Sequence, residues 1–145
     1  MSREIKFRAW LAPRWEDDDD ANTMYYDIQN SYDTIADVKP YDPMTNFREW
    51  FDDEHAIIEQ YTGLEDKNDK EIYEGDIISE TSDLGEDFDY HFKYIVYWNE
   101  DNLCWSVKCI DGYSWHEDLW ECNGSVEVIG NIHENPELVG EHGLQ

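Results

Sequence analysis

The sequence predicts a mainly β protein, an antiparallel small barrel or pseudo-barrel of SH3 or OB size with short helical segments. Three observations predict it. Apolar residues alternate with polar ones at a period of two in several short runs. Turn dipeptides such as Asp111-Gly112 and Asn123-Gly124 punctuate those runs. Aromatic residues make up 15% of the chain, with 7 Trp, 10 Tyr and 5 Phe, enough large side chains to close a core. The length of 145 residues suits one domain, 1–145. Within it, residues 1–60 carry N-terminal strands and an acidic, irregular insert, 61–139 a β-barrel core, and 140–145 a tail.

Each element has its own reason. Ile5, Phe7 and Ala9 alternate with Lys6, Arg8 and Trp10, the pattern of a half-buried strand. Pro13 and the run Glu16-Asp17-Asp18-Asp19-Asp20 end it, since like charges in sequence repel and stay solvated. Met24 to Ile28 reads as a second short strand. Pro40 and Pro43 make 29–46 irregular. Phe47 to Glu54 reads as a short helix, with Asn46 as N-cap and Phe47, Trp50 and Phe51 as its apolar stripe. His55 to Tyr61 reads as a strand, with a helix continuing from Phe47 as the rival.

Glu71 to Ile78 reads as a turn feeding a strand, and 79–91 as a polar, acidic loop. Tyr94-Ile95-Val96-Tyr97-Trp98 is β-branched and aromatic throughout, as in a strand covered on both faces or lying at a dimer contact. Asn99 to Asn102 is a turn, after which Leu103, Trp105, Val107 and Cys109 alternate with Cys104, Ser106 and Lys108. Asp111-Gly112 then predicts a hairpin to Tyr113–His116. Ser125 to Ile132 is a last strand, followed by a capped helical turn with Pro136 at its first position.

The charge excludes several functions. Acidic residues number 36 against 10 Lys plus Arg, a formal net charge of −26. A surface of that sign does not replace the counterions of DNA or RNA, so direct nucleic-acid binding is excluded, as is docking on an anionic membrane. No run approaches a membrane span or a signal peptide. Three cysteines without a secretion signal read as reduced thiols, which predicts a cytoplasmic location. Residues 1–14 hold four basic groups (Arg3, Lys6, Arg8, Arg14) and one acid (Glu4). Such a basic leading strand in an acidic body is expected to find its partners within the same fold.

Catalytic and metal motifs fail when tested. Asp66-Lys67-Asn68-Asp69-Lys70 starts like a calcium loop but places Lys70 and Glu71 where an oxygen ligand and a glycine belong. Cys104, Cys109, His116 and Cys122 lack the paired spacing of a zinc site, and Cys104 and Cys109 fall on opposite faces of one strand. Gly63 and Gly75 read as backbone geometry. The histidines form no triad or ligand pair, and paired carboxylates are uninformative in so acidic a chain. No cofactor, metal or enzymatic activity is expected.

Three segments carry a family likeness: Arg3 to Trp10, Gln60-Tyr61-Thr62-Gly63-Leu64 through Glu74-Gly75-Asp76-Ile77-Ile78, and Val128-Ile129-Gly130-Asn131-Ile132-His133-Glu134-Asn135-Pro136-Glu137-Leu138. In order and spacing they resemble the YopX family of small phage and prophage proteins. The resemblance implies a β pseudo-barrel and supplies no catalytic residues. Two features depart from the family pattern. Asp69 stands where a Lys-Asn-Gly-Lys turn is usual, so the turn is expected to shift. The acidic segments 16–20 and 80–89 exceed the usual member.

The function expected is therefore a non-enzymatic protein that binds a host or phage protein. B-form DNA presents one negative charge about every 1.7 Å of axis. Carboxylates on a compact β domain can imitate that field in a basic cleft, as anti-CRISPR and anti-restriction inhibitors do. The partner expected is the basic surface of a nucleic-acid-binding protein. The candidate residues are Asp17, Asp18, Asp19, Asp20, Asp52, Asp53, Glu54, Glu80, Asp83, Glu86, Asp87 and Asp89. The alternative is an oligomeric structural or accessory phage protein, acidic for solubility, meeting its own copies through Tyr94, Tyr97 and Trp98, with Trp115 and Trp120 as further candidates.

Overall fold

The computed structural model describes residues 4–29, 47–83, 89–110, 117–122 and 126–139. The chain divides into two compact units, Met1–Tyr61 and Thr62–Gln145. The fold is mainly β and antiparallel, with two four-stranded sheets.

In the first unit β1 (Phe7–Leu11) lies between β2 (Thr23–Tyr26) and the first half of β3 (Ala56–Glu65). Ala9 pairs with Tyr25 and Ile58, and Trp10 with Met24 and Ile57. One face of these strands joins Trp50 of α1 (Phe47–Asp52) in a core of Ala9, Leu11, Tyr25 and Ile28, edged by Phe7, Ala56 and Ile58. Burial of each large apolar side chain there contributes roughly 1.5–3 kcal/mol. Of the expected helical stripe, Trp50 is buried, whereas Phe51 is 54% exposed and rests its ring edge-on against Phe7 at 6.1 Å. Trp50 enters the core, while Phe51 meets the sheet only at its edge. Asn46, its expected cap, lies outside the described residues.

The basic strand does find partners within its fold. Arg8 Nε donates to Glu59 Oε1 at 2.9 Å, with both side chains almost fully buried. Tyr26 stands 5.9 Å over the same guanidinium. Lys6 pairs with Glu4 at 3.1 Å and lies over the Tyr61 ring. Arg14 pairs with Asp18 at 3.0 Å.

The second unit holds the rest of β3, then β4 (Glu71–Tyr73), β5 (Asp76–Asp83), β6 (Asp89–Asn99), β7 (Cys104–Cys109) and β8 (Val126–Asn131). Its main sheet runs β7-β6-β5-β8 and forms a half-barrel around Ile72, Ile78, Tyr94, Val96, Val107 and Val126. A register shift between Ile77 and Ile78 against β8 lets both neighbours be buried. The acidic loop expected over 79–91 is mostly ladder: Glu80 pairs with Phe92 and Asp83 with Asp89. Pairing uses backbone groups, so the ladder begun at Ile77 and Ile78 continues through Thr81 and Tyr90 despite the acids between them. Asp111–His116 and Asn123–Ser125 lie outside the described residues.

Gly63 and Gly75 adopt positive φ of 91° and 86°, as backbone positions should. Gly75 closes the β4–β5 turn, where the Tyr73 N–H donates to Asp76 Oδ2 at 2.8 Å. The closing segment forms a 3-10 turn over Pro136–Leu138 rather than a side-chain-capped helix. Asn135 Oδ1 is already taken, accepting the Asn131 N–H at 3.2 Å.

Asp69 takes up the left-handed backbone that a glycine there would adopt more easily: the β3–β4 turn is held at this residue with φ 64°, and the Asp69 N–H donates to the Asp66 carbonyl at 3.0 Å. Asp66 holds the turn in that conformation. Its carboxylate accepts the Asn68 and Lys70 N–H groups at 2.8 and 2.9 Å and so fixes both sides of the turn. The left-handed conformation still costs a non-glycine residue. Asp69→Gly is expected to raise stability by up to about 1 kcal/mol, read from the urea midpoint at unchanged m-value.

Candidate functional site

The acidic candidates sort by how the chain turns. The β1–β2 connection is built around Asp18. Its Oδ2 accepts the Arg14 backbone N–H and Nε at 3.2 and 3.0 Å, and its Oδ1 accepts the Asp20 N–H at 3.2 Å. The Asp18 side chain is 1% exposed, and the Arg14 guanidinium holds its carboxyl below the usual value against the opposing effect of burial. Asp18 is thus the anchor of the turn and not part of an outward surface. The run 16–20 is an ordered turn because one carboxylate is folded inward onto a cation. Asp17, with φ 63°, and Asp19 point outward. Asp20 is half-buried, and its carbonyl accepts the Tyr25 hydroxyl at 2.9 Å.

The α1–β3 connection carries the second group. Asp53 Oδ1 accepts the His55 N–H at 2.9 Å and lies 3.7 Å from His55 Nδ1. Asp52 is exposed, and the Glu54 side chain is 87% exposed. Backbone pairing brings the two connections together. Leu11 pairs with both Thr23 and Ala56, and the Ala12 N–H donates to the His55 carbonyl at 2.8 Å. Both connections therefore leave the same end of the β2-β1-β3 strands, where Asp17, Asp19, Asp52 and Glu54 form an outward acidic rim. The sequence does not announce that meeting, because 33 or more residues separate the groups.

The third group belongs to the second unit. Glu80 lies on the same side of β5 as core residue Ile78 and is half-buried. Burial, with Glu80 and Glu121 nearby, pushes the Cys122 thiol up to about 12. A thiol so raised is a poor nucleophile. Asp83 and Asp89 face each other in register at the end of the described β5–β6 ladder. Glu86 and Asp87 lie outside the described residues.

The aromatic candidates also divide. Tyr94 is 0% exposed and belongs to the core of the half-barrel, so it does not serve a surface contact. The alternation of β6 turns Phe92, Tyr94 and Val96 inward, and Tyr94 lies mid-strand among them. Tyr97 and Trp98 are each 39% exposed, and Trp98 packs edge-on against Trp105 at 5.0 Å. Trp120 is 67% exposed, and Trp115 lies outside the described residues.

Among the described residues no three His, Cys, Asp or Glu side chains converge as a metal site. Cys104 Sγ donates to Asp118 Oδ1 at 3.4 Å, and Cys109 packs against the core. Asp66, the start of the failed calcium loop, spends its carboxylate on backbone: Oδ1 as described above, and Oδ2 on the Val128 N–H at 2.9 Å. Burial raises its pKa, but those three N–H donors together hold it below the usual value. No described helix is long and apolar enough to cross a membrane. What the arrangement offers chemically is charge at one end of a sheet, suited to steering a cationic partner.

Among curated proteins, none matches this chain. The crystal structure of protein EF1440 from Enterococcus faecalis is similar in fold, with a TM-score of 0.50 and 24% identity over 95% of this chain and 99% of that one. The family model described as YopX protein matches residues 6–140. That match takes in the central and closing motifs and most of the opening one, and the chain belongs to the YopX family.

Proposed function

We propose that this protein is a non-enzymatic phage or prophage product that binds the basic surface of a nucleic-acid-processing or defence factor, inhibiting it by imitating DNA. The observation that supports this reading is the acidic rim at one end of the first unit's strands. Two connections distant in sequence are joined there by the Ala12–His55 hydrogen bond, and Asp17, Asp19, Asp52 and Glu54 face outward from them. Meanwhile Lys6, Arg8 and Arg14 are neutralised by internal acids, which leaves the rim little local compensation. Such a surface accelerates encounter with a cationic cleft, and the effect fades as salt shortens the Debye length to about 10 Å at 0.1 M.

The test is competition. Purified restriction and CRISPR effector proteins are mixed with a labelled DNA duplex, and anisotropy is followed as this protein is added. Displacement is expected with at least one of them, weakening as salt rises. Asn or Gln at 17, 19, 52 and 54 together is expected to weaken it about tenfold or more. Duplex binding unchanged by excess protein at about 0.1 M salt, across the panel, would overturn mimicry. The alternative of a self-assembling accessory protein has its own support in the exposed Tyr97 and Trp98. Light scattering bears on the second reading, since self-assembly requires an oligomer whereas imitation of DNA does not.

A further inference from the structure

We propose that Trp15 is the aromatic anchor of the acidic rim, a ring on which a protein partner stacks the side chain of an arginine. The inference rests on the reading that the rim meets a cationic partner, but not on imitation of DNA. Trp15 lies in the β1–β2 connection, two residues before Asp17, and is 60% exposed. Exposure of one aromatic residue needs no explanation by itself. What sets Trp15 apart is how its ring is held. The Arg14 guanidinium lies over it, 4.5 Å from the centroid. That guanidinium is itself pinned, because Nε and Nη2 donate to Asp18 Oδ2 and Oδ1 at 3.0 and 3.4 Å. Asp18 is fixed in turn by the backbone N–H groups of Arg14 and Asp20. A buried carboxylate, a half-buried guanidinium and an exposed indole thus form one stack, built outward from the turn.

The stack orders the indole before any partner arrives, so association does not have to immobilise it. The covering guanidinium is neutralised by Asp18, and a second cation on the open side of the ring meets little repulsion from the first. Tryptophan presents the strongest of the aromatic faces to a cation and is among the commonest anchors of protein interfaces. The surroundings select the occupant. Glu16, Asp17 and Asp19 are exposed on the same connection, which favours a cationic side chain. A second copy of a chain with net charge −26 would oppose acid to acid there. Among cations, arginine suits the ring best. Its planar, weakly hydrated guanidinium stacks on aromatic faces, as Arg14 already does, whereas a lysine ammonium holds its water.

Three acetylated peptide amides of the form Gly-X-Gly-X-Gly serve as probes, with arginine, lysine or citrulline at X. Their binding to the full chain at about 50 mM salt is followed by NMR. The reporters are the backbone amides of Asp17 and Asp19 and, in the native chain, the indole N–H signal that Trp15→Phe removes. The arginine peptide is expected to shift all three and to bind about threefold tighter than the lysine peptide. Citrulline is planar but neutral, and its peptide should bind about tenfold more weakly than the arginine one. Trp15→Leu should weaken the arginine peptide about fivefold and bring it level with the lysine peptide, with Trp15→Phe in between. If the leucine variant unfolds early, Trp15→Phe, which keeps a ring over Arg14, decides by the fall in the arginine-to-lysine ratio. An arginine peptide that binds the variants within about twofold of the native chain, or binds the native chain no better than the lysine peptide, overturns the anchor. Duplex DNA displaced equally by the native chain and by Trp15→Leu leaves mimicry standing and removes the anchor. An arginine preference that depends on Trp15, with no duplex displaced, does the opposite.

Discussion

Asp66→Ala is expected to lower the free energy of unfolding by about 3–5 kcal/mol, a large share of the 5–15 kcal/mol that a domain of ordinary stability possesses. One carboxylate there serves three backbone donors. The Asn68 and Lys70 N–H groups fix the β3–β4 turn, and the Val128 N–H, 62 positions further on, ties that turn to β8. Removing the side chain leaves the Val128 donor buried without an acceptor, and the desolvation of that group dominates the loss. Asp66→Asn should cost less but remain destabilising, because an amide has one acceptor oxygen and its NH2 would face a donor.

The same residue predicts a difference in acid sensitivity. The Asp66 carboxyl is held below its ordinary value of 3.8 in the folded protein by its three N–H donors. Its contribution is then fully present above the unfolded pKa and disappears as pH falls from that value through the lower folded one. The highly acidic chain gains on the same path, since protonation relieves repulsion among its other carboxylates. Comparison with Asp66→Asn removes that shared gain. The gap in urea midpoint between the two proteins should be constant from pH 7 to about 5 and narrow below about 4. A gap independent of pH would mean that the ionised carboxylate is not what binds the three N–H groups.

Glu59→Ala is the second large effect, expected at about 3–5 kcal/mol. Glu59 and Arg8 are 3% and 2% exposed, and the substitution would leave a guanidinium buried without its counter-charge. The pair itself is not expected to be worth that much, because desolvating two charges offsets most of their attraction. Arg8→Met combined with Glu59→Leu should therefore recover to within about 1–2 kcal/mol of the native chain. Urea unfolding of the two single variants and the double one forms the cycle. A double variant as unstable as Glu59→Ala would show that the ion pair, and not the orphaned charge, carries the stability.

Individual strands were readable where the apolar pattern was strong. The run from Tyr94 to Trp98 could hardly be anything but a strand, and it lies within β6. Charge misled at two places. Acidic residues concealed the continuation of β5 and β6, because ladder pairing depends on the backbone and tolerates them. They also made residues 16–20 look like a solvated block, when one of them, Asp18, is folded inward onto Arg14. The alternation of β1 correctly put Trp10 on the side of Lys6 and Arg8, but nothing local indicated that Glu59 would sit opposite Arg8. The acidic rim was invisible for the same reason: its halves meet through the register of β1 with β2 and β3, a long-range fact. The family motifs were legible because they encode turns. Asn131 Oδ1 accepts the His133 and Glu134 N–H groups, and Asn135 closes back on Asn131, so the closing motif is a self-bonded loop.

That loop couples two positions in a way that single substitutions conceal. A methyl group placed on Gly130 would come within 2.4 Å of Asn135 Oδ1, the very atom that holds the Asn131 amide. Drift at position 130 is thus blocked for as long as 135 keeps its amide, and trimming 135 would leave the amide at 131 without its acceptor. The two positions are therefore expected to tolerate change only together, a constraint that shape alone imposes.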